Sequence, residues 1–348
     1  MSSALPNRLS FPHVNHPNSA NSTNSANSNS ADVEIDSLFH GTALHGAAIT
    51  ILGQGAWGSV LGQLVRHNGY QVQKWSRHSD ADLAMATANC GVLISAVSMQ
   101  GVPMVTQQLQ QIGLGTTTVI VSATKGLEPT TGRTPSQIWQ DRFPHNPLVV
   151  LSGPNLSKEI GAGLPAATVV ASHDGTAARL IQSLFASKNF RVYTNKDPIG
   201  VELGGTLKNV IAIAVGVCDG LHLGTNAKAA LITRSVTEII RVGVYFGAQP
   251  ETFWGLSGLG DLLATCSSPL SRNYQVGYAM AQGKSVYEAL AGIVGTAEGV
   301  NTAQVLNSLA ERYSISVPVS RYVYRLLQGE ITPQEAVEGL MERDLKSE

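Results

Sequence analysis

Short apolar runs recur through the first part of the chain, separated by stretches with helical spacing. Ala47–Leu52, Gln71–Trp75, Val92–Val97, Thr117–Ser122, Leu148–Leu151, Ala167–Ala171 and Phe190–Tyr193 read as strands. Between the first of them, residues 57–68 and 81–89 read as helices. Strands that alternate with helices predict an α/β architecture with a mostly parallel, doubly wound sheet. From about Asp197 the texture changes. Strand-like runs stop, and long apolar helical stretches follow at Gly205–Val217, Lys228–Phe246, Tyr274–Gln282, Ser285–Ala291, Thr302–Tyr313, Pro318–Leu327 and Pro333–Glu342. The reading is therefore three-part: an extension over 1–44, a sheet domain over 45–195 and an all-α domain over 196–348.

Composition supports two cores and one tail. The chain has 348 residues, 43% hydrophobic, enough for two domains. Asn and Ser fill ten of the thirteen positions from Asn18 to Ser30. Such a segment buries too little apolar area to offset the entropy of ordering it, so it is expected to be disordered. It lacks the apolar core of a secretory signal. It is Ser-rich and free of acids until Asp32, as organelle transit peptides are, but it carries the single arginine Arg8 and no clear amphipathic pattern. A net charge of -1 argues against a nucleic-acid surface. Three cysteines (Cys90, Cys218, Cys266) show neither metal-ligand nor redox spacing, which suits a reducing, cytoplasmic setting. The apolar runs are broken by Gly, Lys or Thr before a span of about 18 residues, so no membrane crossing is expected.

Chemistry concentrates in loops. Gly53-Gln54-Gly55-Ala56-Trp57-Gly58 follows a strand and opens a helix. Three glycines at that spacing allow a tight turn, close approach of a pyrophosphate and close helix packing, the Rossmann-type dinucleotide signature. At the end of the second strand an acid would favour NAD and an arginine NADP; here stands Arg77, with no acid until Asp80. NADP(H) is therefore the expected preference, with NAD(H) usable. Lys125 follows Ser122-Ala-Thr at the carboxyl end of a strand, where open parallel sheets bind ligands. In Ser152-Gly153-Pro154-Asn155-Leu156-Ser157, Gly-Pro is expected to turn the chain into a helix, with Asn155 and Ser157 free to hydrogen-bond a ligand or to cap.

Lys208 is the sole charge between Glu202 and Asp219 in a long apolar stretch. An ammonium so placed needs a partner or a task, and desolvation moves it toward proton transfer near neutral pH. Asp261 sits in a glycine-rich turn, Gly255–Gly260. Ser271 reads as an N-cap, with Arg272 and Asn273 in the first helical turn. An arginine there opposes the helix dipole, which a phosphate ligand would reconcile. Glu298, between Gly295 and Gly299, is a candidate cofactor contact. His222 is the rival proton carrier, in what looks like a loop.

Taken in order, Gly-Gln-Gly-Ala-Trp-Gly, Ala-Thr-Lys-Gly-Leu-Glu, Ser-Gly-Pro-Asn-Leu-Ser-Lys-Glu, Leu-Lys-Asn-Val-Ile-Ala, Gly-Leu-Gly-Asp and Ser-Arg-Asn resemble the bacterial-type NAD(P)-dependent glycerol-3-phosphate dehydrogenases. The resemblance runs from about Ala47 to the C-terminus. It implies interconversion of dihydroxyacetone phosphate and sn-glycerol 3-phosphate, feeding phospholipid synthesis. By position it makes Lys208 the proton donor and acceptor. It places Lys125, Gly153, Asn155, Asp261, Ser271, Arg272 and Asn273 at the substrate. Cofactor positions are Ala56, Trp57, Arg77, Ser157, Thr296 and Glu298, with Lys125 and Arg272 shared.

The chain departs from the family pattern in its Asn/Ser tail, in a short link from Arg77 to Val92, and in having Asn155 and Ser157 where hydroxyl and small residues are frequent. Two readings stay open beside it: another two-domain hydroxy-acid dehydrogenase with His222 as base, and a non-catalytic NADPH sensor. A homodimer through the helical domain is also open.

Overall fold

The computed structural model describes residues 48–79 and 81–344. The expected extension over 1–44 lies outside the described residues. Seven strands form one sheet: β1 (Ala48–Leu52), β2 (Val72–Trp75), β3 (Cys90–Ser95), β4 (Val119–Ser122), β5 (Leu148–Ser152), β6 (Ala166–Ala171) and β7 (Phe190–Asn195), in the order β2-β1-β3-β4-β5-β6-β7. Every neighbouring pair is parallel except β5 and β6. The chain runs from β1 out to β2 on one side and then crosses back to β3 on the other, and this reversal opens the ligand crevice of doubly wound sheets at the carboxyl ends of β1 and β3. Register aligns those ends, with Leu52 opposite both Trp75 and Ser95, and Ser95 opposite Ser122.

The inner strands are almost wholly apolar because both faces are covered, whereas the edge strands β2 and β7 carry exposed polar residues. Ile49, Ile51, Val92, Ile94, Val119 and Val121 face helices α1 (Ala56–His67), α5 (Ser157–Gly161) and α6 (Gly175–Phe185). Leu52, Leu93 and Ile120 face α2 (Leu83–Thr87), α3 (Gly101–Ile112) and α4 (Pro135–Arg142). Thr50 faces the second layer too, and its hydroxyl is satisfied by the Ala86 carbonyl at 2.5 Å.

The helical half begins with α7 (Pro198–Gly220), started by Pro198 and capped by Asp197, which accepts from the Gly200 N–H at 2.9 Å. α7 is apolar nearly all round and is buried nearly all round, as such a helix must be. It is long and apolar enough to cross a membrane, contrary to the expectation that no stretch would be, but it is entirely enclosed by protein and serves as a core helix. Around it stand α8 (Gly224–Tyr245), α9 (Asp261–Ser267), α10 (Arg272–Ala281), α11 (Val286–Ala291), α12 (Glu298–Tyr313), α13 (Pro318–Leu327) and α14 (Pro333–Met341).

α7 and α10 cross almost backbone to backbone. A Cβ on Gly277 would lie 1.9 Å from the Ile213 carbonyl oxygen, and one on Gly216 would lie 2.1 Å from that of Tyr274. α7 also leans on the sheet, where Val201 joins Val150, Val169 and Ala171 in one buried cluster. The described residues form a single compact unit. Cys90, Cys218 and Cys266 are all buried and unpaired.

Candidate active site

The loop after β1 is built for close approach. Gly53 has φ +102°, open to glycine but not to side chains, and a Cβ there would sit 2.6 Å from the Ala96 carbonyl oxygen beyond β3. Its N–H donates to the Trp75 carbonyl at 2.8 Å, which ties the loop to the end of β2 and hence to Arg77. A Cβ on Gly58 would lie 2.0 Å from the Gly53 carbonyl oxygen, so the third glycine lets α1 start directly against its own loop. Nothing lies within 4 Å of the Cβ position at Gly55, which borders open space. Gly55 caps α1 without any side-chain bond, leaving the first-turn N–H groups of that helix to a ligand. Ser95, in the neighbouring strand end, keeps a buried hydroxyl without a partner. These features fit a dinucleotide. Ala56 is exposed, and Trp57 packs partly on the sheet core. Arg77 is exposed, and its Nε donates to His78 Nε2 at 3.0 Å.

The lysines meet on one acid. Lys208 Nζ donates to Asp261 Oδ1 and Lys125 Nζ to Asp261 Oδ2, each at 2.5 Å. Lys125 also donates to the Gly153 carbonyl at 3.2 Å, which joins the loops after β4 and β5. The Lys208 and Asp261 side chains are 8% and 2% exposed and Lys125 is 21% exposed, so the centre opens to solvent on the Lys125 side. Burial lowers the Lys208 ammonium to about 8. The Asp261 carboxylate opposes that shift and the neighbouring Lys125 charge adds to it. Asp261 lies 136 residues from Lys125 and 53 from Lys208, and only the packing of α7 between sheet and helices brings the three together.

Local structure differs from the sequence reading at two loops. Asp261 does not lie in a glycine turn. Leu256–Gly260 forms a π-helical turn, and Asp261 opens α9, one helical turn before Thr265. That i, i+4 spacing puts the Thr265 hydroxyl on the same face, where it bonds Lys208 Nζ and contacts Asp261 Oδ1 at 3.3 Å. Thr265 was not among the expected residues, although its spacing from Asp261 could have pointed to it.

Pro154 does not start a helix either. α5 begins at Ser157 after Leu156, and neither Asn155 nor Ser157 caps it, because Pro154 and Asn155 continue as an open turn above β5. Asn155 Nδ2 instead donates to Thr168 Oγ1 at 3.1 Å, leaving its buried Oδ1 without a partner. Ser152 likewise has a buried, unpartnered hydroxyl. It sits against α7, 2.1 Å from where a Gly205 Cβ would be, with Lys125 Cε 3.3 Å from the same point.

A second polar group assembles at the N-terminus of α10. Ser271 is its N-cap, with Oγ accepting from the Tyr274 N–H at 3.2 Å. Asn273 Oδ1 accepts from the Gly299 N–H at 2.9 Å, so its Nδ2 is left as the donor side. Arg272 is exposed and lies over Gly295. Glu298 opens α12, half-buried. Burial raises its carboxyl, against the opposing effects of the Met99 N–H and Arg272. Thr296 is exposed beside it. The Glu298 carboxylate also stands 3.6 Å from the Cβ position of Gly126, so the loops after β3 and β4 and the start of α12 border one cleft. His222 lies elsewhere, exposed at φ +56° between α7 and α8. Among the described residues no group of three or more His, Cys, Asp or Glu could hold a metal ion.

Comparison with known proteins gives the same picture. The model of the NAD-dependent glycerol-3-phosphate dehydrogenase N-terminus matches residues 78–178, and that of the C-terminus matches residues 197–338. The glycerol-3-phosphate dehydrogenase [NAD(P)+] of Acaryochloris marina is 64% identical over 301 residues, covering 86% of this chain and 97% of its own length. That of Synechocystis is 62% identical over 300 residues, covering 86% of this chain and 95% of its own. Among solved structures, glycerol-3-phosphate dehydrogenase (gpsA) from Coxiella burnetii superposes with a TM-score of 0.82 at 34% identity, over 85% of this chain and 99% of that one. Two lysines sharing one buried acid beside a dinucleotide loop, family matches over residues 78–178 and 197–338, and relatives 62% and 64% identical over 86% of the chain place this chain in the NAD-dependent glycerol-3-phosphate dehydrogenase family.

Proposed function

We propose that this chain interconverts dihydroxyacetone phosphate and sn-glycerol 3-phosphate, with NADP(H) preferred and NAD(H) usable, and so supplies glycerol 3-phosphate for phospholipid synthesis. The observation that carries the proposal is Asp261 held between Lys208 and Lys125, in a cluster open on the Lys125 side. Residues 45–195 form the dinucleotide-binding domain and residues 196–348 the substrate domain, each lending side chains to the other's ligand. The bound nicotinamide supplies the hydride for ketone reduction and takes it up in the reverse direction. Gly53, Gly55, Ala56, Trp57 and Gly58 would hold its pyrophosphate, Arg77 its 2′-phosphate, and Ser157, Thr296 and Glu298 the remainder.

Lys208 gives its Nζ proton to the ketone oxygen, which becomes the secondary hydroxyl; in oxidation its neutral amine takes that proton back. Asp261 aims Lys208 and keeps both lysines from drifting apart. Lys125 polarises substrate oxygen from the solvent side, beside Gly153 and Asn155. Ser271, Arg272 and Asn273 receive the phosphate at the start of α10, where the free N–H groups and positive dipole suit an anion. A hydroxy-acid dehydrogenase, the other reading, would not need that site to prefer phosphate over a carboxylate, and assay with carboxylate substrates separates the two.

A cytoplasmic location belongs to the same reading, supported by three unpaired cysteines. A homodimer through the helices is part of it too. The deciding experiment follows coenzyme absorbance with dihydroxyacetone phosphate, with NADPH and NADH in parallel. Oxidation with this substrate, faster per unit concentration with NADPH, is expected. No oxidation would refute the substrate, and equal rates would refute the preference.

A further inference from the structure

A cavity of about 490 Å³ opens between the end of α7 and helices α8, α13 and α14. That volume lies in the range of small-molecule sites. Its walls are apolar, formed by residues such as Val217, Leu231, Val319, Val323, Leu326 and Leu340. It is separate from the catalytic cluster. Ala214 and Val217, which line it from α7, stand roughly 120° to 180° around that helix from Lys208.

The rim is cationic. Arg234, Arg241 and Arg343 all border the cavity and are exposed, and none takes part in a salt bridge among the described residues. Arg241 donates one N–H to the Ser316 carbonyl at 2.5 Å, leaving the rest of its fork free. The acid in the wall, Glu238, interacts with the Arg241 charge but forms no salt bridge with any of the three. Glu238 is buried, and its two oxygens accept from the N–H groups of Val319 and Ser320, each at 2.9 Å, at the start of α13. Asp344 is the other acid at the rim.

An apolar hollow with unpaired guanidinium groups at its mouth fits a ligand with one apolar chain and one anionic end. A small polar metabolite would leave the walls without apolar contact, and a neutral lipid would leave the arginines unused. A carboxylate matches the planar guanidinium fork bidentately. We propose that this cavity binds a fatty carboxylate, its acyl chain between α8 and α13 and its carboxylate at Arg234, Arg241 and Arg343.

The test is calorimetric titration of the full chain with dodecanoate below its micelle concentration. One-to-one binding is expected, tightening by about fourfold per methylene from octanoate to dodecanoate until the cavity is full. Dodecan-1-ol, with the same chain and no charge, should bind at least ~10-fold more weakly, and so should dodecanoate to Arg234→Glu. Ala230→Trp, which fills the cavity from α8, should abolish binding. Turnover of dihydroxyacetone phosphate at the wild-type rate by both variants would show that they are folded. Should Ala230→Trp not fold, Arg234→Glu and the alcohol comparison decide alone. Absent binding, equal affinity for the alcohol, or unchanged affinity in Arg234→Glu would overturn the proposal. So would a wild-type dimer that Ala230→Trp splits into monomers while dodecanoate fails to bind, since the hollow would then be an interface between copies.

Discussion

At the scale of residues, the centre of the molecule is a charge triad with an uneven distribution of water. Lys208 holds its proton at neutral pH and releases it near pH 8, because burial outweighs the attraction of Asp261. Ketone reduction requires the charged form, so its rate should fall as pH rises through about 8, while alcohol oxidation should rise across the same window. Neighbouring charges set the position of that limb. Lys125→Met removes a repelling cation and should move it to higher pH. Asp261→Asn removes the attracting carboxylate and should move it lower. The position of the limb in pH-rate profiles, rather than its height, is the measurement, since both residues also serve binding. Lys208→Ala should cut turnover by about 100- to 10,000-fold while NADPH still binds. Near-normal turnover would remove Lys208 from the chemistry. Arg77→Asp should lower the ratio of NADPH to NADH efficiency, and an unchanged ratio would acquit Arg77. Lys208 was legible in the sequence because a lone charge in an apolar run needs a reason. Its partnership with Lys125 through Asp261 was not, because no local pattern encodes contact across 136 residues.

Among the elements, the strands were legible and several helices were not. The inner strands announce themselves as short apolar runs because both faces of the sheet are covered there, while β7 at the edge shows itself by alternating buried and exposed residues. α4 carries Ser, Gln, Asp and Arg between few apolar residues, so its sequence has little helical stripe. The Thr134–Gln137 capping box, which starts it, was the available signal. The turn before Asp261 misled because glycines mark turns, and here they serve close packing. A Cβ on Gly258 would lie 2.1 Å from the Phe253 carbonyl oxygen. The crossing of α7 and α10 gives the sharpest test of packing. Gly277→Ala should gain about 1 kcal/mol of helix propensity. It also drives a methyl into the Ile213 backbone, which no rotamer can relieve, and overpacking of that kind costs roughly 1–3 kcal/mol or more. The clash should win, with a net loss of about 2 kcal/mol in thermal or urea unfolding. A stabilised variant would mean that the helices can separate without cost.

For the whole molecule, the two textures read from the chain are real, but the cores are not independent. α7 belongs to the helical bundle and still closes the sheet through Val201, and Glu202 reinforces the tie. Its buried carboxylate accepts from the Ser136 N–H at 2.9 Å, at the start of α4. Heating should therefore give one transition by calorimetry and circular dichroism alike, and two resolved transitions would contradict this joint. Residues 45–195 alone would expose Val150, Val169 and Ala171 and should be prone to aggregate. The three thiols give the molecule a clock. Cys90, Cys218 and Cys266 are each buried, and burial raises all three, Cys266 to about 12. A disulfide reagent therefore meets almost no thiolate in the folded chain and three when it opens. Cys90 stands at the start of β3, Cys218 near the end of α7 and Cys266 in α9, so the order in which they are labelled would time the loosening of the sheet against that of the helices.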